Sequence, residues 1–308
     1  MTEESGATES DRTFRRVGVI GRFSDTDLRG VLHRLKNMAD ARDLDLFFEG
    51  PILPLAPDGS HELELGEGGG SIDLLLALGG DGTILRAGRM TAGQNIPILG
   101  INLGHLGFLT ASPEQEMEDC LTQLMEGRFV LDWRSTLEAR LVDSDGVEGE
   151  TLLAWNDFMI QEPKVGRVSR LDLLIRDGEG WSEIGSFTGD GVVLSTPTGS
   201  TAYSLSAGGP IVMPSVECFL VTPVCPHTLA IRPLVVPADR SIAVRSFDQS
   251  RSLVVTADGQ IERTVGEGGQ VWITSSETRI PLMRFTGQTF FSTIRRKLSW
   301  AARPGDRS

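Results

Sequence analysis

Leu74-Leu75-Leu76-Ala77-Leu78-Gly79-Gly80-Asp81-Gly82-Thr83 is the stretch on which the fold turns. Five apolar residues run without interruption into a glycine cluster, the pattern of a strand buried on both faces and then sharply ended. A helix is expected from about Thr83. Glycines at such a junction let backbone N–H groups approach a ligand, and the helix start adds positive partial charge, so a phosphate is the natural occupant. No Gly-Lys-Ser/Thr follows, which excludes a Walker loop, and Leu85 stands where the dinucleotide fingerprint has its third glycine. Asp81 would repel a phosphate. It makes sense if it takes a proton from an attacking hydroxyl or helps to hold a cation; as a purely structural residue it would cap the helix.

Working outward, Val17 to Gly21 reads as a buried strand. A helix from Asp25 follows, with Leu28, Val31, Leu32, Leu35 and Met38 on one face. Leu44 to Phe48 and Ile96 to Ile101 read as further strands, and a Pro- and Gly-rich connection over 50–70 leads from the first of them to Leu74. Ser112-Pro113-Glu114-Gln115 has the form of a capping box with proline at the first helical position. Behind it Met117, Cys120, Leu121 and Leu124 share a face up to Gly127. Strands alternating with helices predict a parallel sheet with covering helices.

After about residue 134 the pattern changes to alternation: Leu137, Ala139 and Leu141, then Leu171, Leu173 and Ile175. Asp145-Gly146, Asp177-Gly178 and Asp258-Gly259 are hairpin-type pairs. Short strands are expected at 152–160, 191–195, 229–235, 242–246, 252–256, 270–274 and 279–285. A last amphipathic stretch with Phe290, Phe291, Ile294 and Leu298 reads as a helix. The fold class expected is therefore an α/β N-terminal domain with a parallel, Rossmann-like sheet, followed by an all-β C-terminal domain, with the C-terminal helix packing back on the first domain. The boundaries expected are a disordered acidic tail over 1–13, an α/β domain over 14–134, a β-rich domain over 135–285 and a returning segment over 286–308.

Two other clusters interrupt this grammar. Thr196-Pro197-Thr198-Gly199-Ser200-Thr201-Ala202-Tyr203-Ser204-Leu205-Ser206 is dense in hydroxyls and holds the one tyrosine of the chain. Such density suits a sugar-and-phosphate ligand, or a loop that satisfies its own backbone. Asn156-Asp157 breaks the apolar run LLAWNDFMI, where polar groups need partners or mark a strand bulge.

Composition narrows the partners. The 308 residues carry a net charge of −13, which argues against non-specific nucleic-acid binding and against an anionic membrane surface. No apolar run is long enough to span a membrane, and the polar, acidic start is not a signal peptide. Three scattered cysteines favour a reducing compartment, hence a cytoplasmic protein. No Cys/His cluster has zinc-ligand spacing, Cys225-Pro226-His227 being the nearest approach, and His105 and His227 are expected to pack rather than react. The 36 glycines exceed the usual share of roughly 7% and concentrate at 79–82, 100–107 and 199–209.

Taken together, Gly79 to Arg86, Gly100-Ile101-Asn102-Leu103-Gly104-His105-Leu106-Gly107-Phe108-Leu109, Asn156-Asp157 and Thr196 to Pro210 resemble the NAD kinase family, in order and over nearly the whole chain. Gly-Gly-Asp-Gly alone is shared with diacylglycerol and sphingosine kinases; the Thr196–Pro210 stretch points to the NAD-specific branch. The resemblance implies transfer of the γ-phosphoryl of ATP to the 2′-hydroxyl of the adenosine ribose of NAD, giving NADP. Asp81 would be the general base, Gly79, Gly80 and Gly82 would line the ATP phosphates, and Mg²⁺ would screen charge; no protein metal ligand is assigned. Asn156 and Asp157 would hold the adenosine side of NAD, with aspartate standing where the family often has glutamate. Thr201, Ala202, Tyr203, Ser204, Leu205 and Ser206 would line the NAD pocket, and Asp190 would sit near the nicotinamide. Arg86, Arg167 and Gln260 fall where the family has nucleotide contacts, and the polar Thr188 leans toward NAD over NADH. The family is usually dimeric or tetrameric, so a homo-oligomer is expected. The alternatives are a lipid kinase of the same superfamily and a non-catalytic NAD(H) sensor; an intact Asp81 speaks against the sensor, and the absence of an amphipathic membrane face against the lipid kinase.

Overall fold

A computed structural model describes residues 14–22, 28–65, 71–104, 107–163, 168–178, 180–228, 230–285 and 287–299. The acidic tail, the Gly68–Gly70 run, His105 and Arg167 lie outside these residues. The chain divides into two compact units, one of residues 1–133 with 280–308 and one of residues 134–279. Residues 280–285, assigned from sequence to the β-rich domain, thus belong with the first unit.

The first unit is built on β1 (Arg16–Gly21), β2 (Asp45–Phe48), β3 (His61–Glu62), β4 (Leu74–Leu78), β5 (Ile98–Asn102) and the two-residue β6 (Ser112–Pro113). All pair in parallel, in the order β3-β2-β1-β4-β5. The chain winds outward from β1 through β2 and β3, then returns to the other side of β1 as β4. The carboxyl ends of β1 and β4 therefore flank the switch point, the place where open α/β sheets hold ligands. All five residues of β4 are buried, as a strand covered on both faces requires.

Helices α1 (Leu28–Asp40), α2 (Asp81–Met90) and α3 (Met117–Met125) cover the sheet. Leu28, Val31, Leu32 and Leu35 of α1 join Val19, Leu74, Leu76, Cys120, Leu121 and Leu124 in one apolar core. The capping box expected at Ser112 does not form. Ser112 and Pro113 pair with β5, a single 3₁₀ turn spans Glu114–Glu116, and α3 starts only at Met117. The Ser112 hydroxyl instead donates to the Glu116 carboxylate at 2.5 Å. Sheet pairing has taken the residue that the helix signal claimed.

The second unit is antiparallel. It comprises β7 (Phe129–Val142) from Arg134 on, β8 (Glu148–Ala154), β9 (Asp157–Gln161), β10 (Ser169–Asp177), β11 (Gly180–Gly189), β12 (Gly191–Ser195), β13 (Cys218–Val224), β14 (Leu234–Pro237), β15 (Ser241–Ser246), β16 (Leu253–Ala257), β17 (Ile261–Val265) and β18 (Gln270–Phe285) as far as Arg279. One layer orders β14-β13-β12-β9-β16-β17 and the other contains β11-β10-β15-β18 with β7 and β8. Leu171, Leu173, Ile242 and Ile273 from one layer meet Phe158, Ile160, Leu194 and Val255 from the other in a second core. The three Asp-Gly pairs form the turns β7–β8, β10–β11 and β16–β17, with Gly146, Gly178 and Gly259 at positive φ.

Four expectations change here. The strand expected at 229–235 starts only at Leu234, as β14. The run 152–160 is two strands, broken at Trp155-Asn156. The fully buried β13 was not expected; its Pro223 lies beyond Val221, the last residue paired with β14, so no donor is missing on that side. The strands expected at 270–274 and 279–285 are one, β18. Its Leu282 pairs in parallel with Ile98 of β5, and Met283 and Phe285 enter the first core. A final helix, α5 (Phe290–Leu298), begins with a capping box in which Thr289 and Ser292 bond reciprocally.

Candidate active site

In the first unit the site is the loop after β4. Gly80 is the N-cap of α2 and Asp81 its first helical residue, so the helix starts two residues before Thr83. A helix start leaves its first N–H groups without partners in the helix. Gly79 is a packing residue: its φ is +151°, and a Cβ there would lie 2.4 Å from Oγ1 of Thr83. Gly80 and Gly82 are exposed, and a Cβ on either would meet nothing within 4 Å. Among the described residues nothing demands glycine at those two positions, as would hold if a ligand approached the bare backbone.

Asp81 is half-buried and held. Its Oδ2 accepts from the Phe108 N–H at 2.9 Å and its Oδ1 from the Leu109 N–H at 3.0 Å. Each carboxylate oxygen keeps a further lone pair, which is what a proton acceptor requires. Gly107 makes the approach possible, because a Cβ on it would stand 1.8 Å from Asp81 Oδ1. The second glycine cluster thus braces the first. Arg86, one turn along α2, is engaged within the protein: Nη1 pairs with Glu49 and Nη2 donates to the Gly21 carbonyl at 2.9 Å. Glu49 was not singled out from sequence.

Among the described residues no group of three or more His, Cys, Asp or Glu side chains is placed to hold a metal ion.

In the second unit, Asn156 and Asp157 occupy the break between β8 and β9. The carboxylate of Asp258, in the β16–β17 turn, accepts from the N–H groups of Trp155 (3.1 Å), Asn156 (2.7 Å) and Asp157 (3.2 Å). The break in the apolar run is thus a designed kink, and its partner lies about a hundred residues along the chain. Thr196 locks the other side: its N–H donates to the Asn156 carbonyl and its hydroxyl to the Trp155 carbonyl. Gly199 packs so closely that a Cβ would sit 2.0 Å from the Asn156 carbonyl oxygen.

The hydroxyl-rich segment is mostly self-satisfying. Ser200 bonds the backbone of Val212, Ser204 the hydroxyl of Thr222, and Thr201 the Thr198 carbonyl. Ser204 is buried, whereas Thr201, Ala202, Tyr203, Leu205 and Ser206 reach the surface. Tyr203, first residue of the short helix α4 (Tyr203–Ser206), donates its N–H to the Asp157 carboxylate.

Asp157 is buried, and desolvation, reinforced by the charge of Asp258, pushes its carboxyl up to about 7 against the relief of that bond. Burial raises the Tyr203 phenol, helped by the charges of Cys225, Asp190 and Asp157. The exposed Cys225, whose backbone is at φ 47°, hydrogen-bonds Asp190, which raises its thiol. These contacts link Asp157, Asp190 and Tyr203, although sequence expected Asp157 and Asp190 toward opposite ends of NAD, and they add Cys225, which it had considered only as a metal ligand. Thr188 lies half-buried on β11, its carbonyl accepting from the His227 N–H at 2.9 Å. His227 is exposed, so the packing role expected for it does not hold. Gln260 is exposed in the turn that carries Asp258.

A sheet with its glycine loop at the switch point and a backbone-braced carboxylate at a helix start define a protein of the nucleotide-phosphate-handling class. Comparison with known proteins narrows the class. Residues 64–129 match the ATP-NAD kinase N-terminal domain and residues 156–285 the ATP-NAD kinase C-terminal domain. The NAD kinase of Gemmatimonas aurantiaca is 42% identical over 290 residues, covering 94% of this chain and 98% of that one. The NAD kinase of Syntrophotalea carbinolica is 34% identical, over 94% and 100% of the two chains. Among solved structures, yeast NADH kinase complexed with NADH superposes with a TM-score of 0.80 at 27% identity, over 94% and 89% of the chains. An NAD kinase from Archaeoglobus fulgidus in complex with ATP gives 0.69 at 25% identity, over 92% and 98%. The chain belongs to the NAD kinase family.

Proposed function

We propose that this chain, as an ATP-dependent NAD kinase, moves the γ-phosphoryl of ATP to the 2′-hydroxyl of the adenosine ribose of NAD with Asp81 as the base. The observation that carries the reading is the Asp81 carboxylate itself, fixed by two backbone N–H groups at a helix start beside two exposed glycines. The P–O bond to the β-phosphate breaks as the 2′-oxygen bonds to phosphorus, and the hydroxyl proton passes to Asp81. Such transfer asks mainly for positioning and charge stabilisation, which backbone donors at a helix start supply. Gly80 and Gly82 line the triphosphate. A divalent cation, Mg²⁺ by its chemistry with phosphates, would screen the charge of the triphosphate there.

Asn156, Asp157 and the surface-reaching part of Thr201–Ser206 take the adenosine side of NAD, Asp157 accepting from ribose hydroxyls, with Asp190 toward the nicotinamide. Arg86, Arg167 and Gln260 serve as nucleotide contacts, and Thr188 favours NAD over NADH. The three cysteines are unpaired, two of them buried, which fits work in the reducing cytoplasm. Leu234 and Val235 are exposed on β14, at the edge of its sheet, which supports a homo-oligomer.

Incubation with NAD and MgATP, read out with an NADP-specific dehydrogenase, tests the activity; NADP must appear, and its absence overturns the reading. Asp81→Asn is expected to keep nucleotide binding and lose at least about 10²–10⁴-fold in turnover. Near-normal turnover in that variant removes the base assignment.

A further inference from the structure

The β16–β17 turn does more than reverse the chain. Asp258 and Gly259 both have positive φ (49° and 65°), the geometry of a tight hairpin turn. Asp258 is nonetheless buried, with its carboxylate turned inward rather than to solvent. That carboxylate collects three consecutive N–H groups, those of Trp155, Asn156 and Asp157, while the Asp258 N–H donates back to the Asp157 carbonyl at 2.9 Å. Four bonds thus tie one turn residue to the three-residue break that carries the two polar residues facing the adenosine side in the proposed function. A hairpin needs none of the three carboxylate bonds in order to close.

From this geometry, and resting on the NAD kinase reading, we infer that Asp258 is a positioning residue for NAD: it sets the backbone of Asn156 and Asp157 and places its own carboxylate beside that of Asp157. The effect propagates one step further. Thr196 and Gly199 are docked on the backbone of the same break, and Tyr203 donates its N–H to the Asp157 carboxylate. The hydroxyl-rich segment therefore takes its place from a kink that Asp258 holds.

The charge follows from position. Two carboxylates buried side by side oppose each other's ionisation, so Asp258 acts with burial to raise Asp157. The groups around Asp157 are Asp258 from the β16–β17 turn and the N–H and phenol of Tyr203 from α4. Asp190, after β11, and Cys225, after β13, face Tyr203 in turn. A carboxylate accepts from both ribose hydroxyls at once; its acid form loses acceptor capacity. NAD capture must then weaken as pH falls through about 7.

Asp258→Asn tests this. Asparagine tolerates the left-handed backbone nearly as well as aspartate, and it keeps one carbonyl acceptor while removing the charge. The acid limb of kcat/KM for NAD is expected to move down by roughly one pH unit. KM for NAD should rise severalfold while KM for ATP stays put, and Asp258→Ala should raise KM for NAD further. An unmoved acid limb, or equal rises in both KM values, overturns the inference, since a generally loosened fold would affect both substrates. Titration of the Asp157 carboxyl by ¹³C NMR gives a second readout that needs no turnover. Its midpoint must lie near 7 in the unaltered protein and fall in Asp258→Asn; an ordinary midpoint in the unaltered protein overturns the inference even if Asp258→Asn does not fold. No NADP from the unaltered protein overturns the kinase reading instead, and the NMR midpoint still decides whether Asp258 governs Asp157.

Discussion

A Cβ on Gly107 would stand 1.8 Å from Oδ1 of Asp81, so the absence of a side chain at one residue is the condition for the position of the other. The clash is with a half-buried side chain that can swing away, and not with backbone. Gly107→Ala is therefore expected to keep its thermal midpoint within a few degrees while kcat falls by roughly 10²-fold, the effect of moving a reacting group by about an ångström. Steady-state kinetics beside a melting curve check it; a wild-type kcat would mean that the carboxylate need not be where the two N–H groups hold it.

Gly199 gives the opposite balance. Its added Cβ would fall 2.0 Å from the Asn156 carbonyl oxygen, a backbone atom in a segment tied down by Asp258 and Thr196. Gly199→Ala should destabilise the protein by about 1–3 kcal/mol and raise KM for NAD. Urea unfolding with NAD saturation kinetics checks both, and a variant of unchanged stability would show that the Asn156 break has room to give.

Asp157 predicts a pH-dependent stability. Its folded carboxyl is raised to about 7 from the ordinary 3.8, so the folded state holds the proton more tightly than the unfolded chain does. The contribution is most favourable below pH 4 and declines as pH rises through the window from about 4 to 7. Asp157→Asn should therefore be more stable than the unaltered protein at pH 8, by at most about 4 kcal/mol, with little difference at pH 4. Denaturant melts at the two pH values give the comparison, and the more stable variant should bind NAD more weakly.

Arg86 is bound to Glu49 and to the Gly21 carbonyl at the carboxyl end of β1. Removing it leaves a largely buried carboxylate uncompensated, so Arg86→Ala should lose about 1–3 kcal/mol of stability. Adding Glu49→Gln should return part of that loss. A double-mutant cycle by urea unfolding measures the coupling; simple additivity would mean that the pair contributes nothing. Any rise in KM for ATP beyond the stability effect reports a nucleotide contact.

What could be read before the structure was local. The buried strand ending at Leu78, the glycine loop and the helix after it announce themselves within fifteen residues, because apolar periodicity and glycine are short-range signals. The Asp-Gly turns are legible for the same reason. The partners of those features are not. Phe108 and Leu109 bond Asp81 through backbone N–H groups, which no side chain advertises, and Asp258 reads as an ordinary turn aspartate until its contact with Trp155–Asp157 is seen. Ser112 shows local signals in competition: it carries a helix-start pattern, but a strand partner was available. The hydroxyls of 196–206 looked like a ligand surface, and several turned out to be fastening the loop to itself.

The division of the chain has a consequence for how the protein is made. The first core is closed by Met283 and Phe285, the Leu282–Ile98 pairing completes its sheet, and Gln288 bonds the Ala111 carbonyl. Those residues are synthesised after the whole of 134–279. During translation, then, the nucleotide-loop unit waits unfinished until its last strand emerges, while the β-rich unit already has all of its residues. Loss of residues 280–285 alone would strike the unit that holds Asp81, about two hundred residues away in sequence.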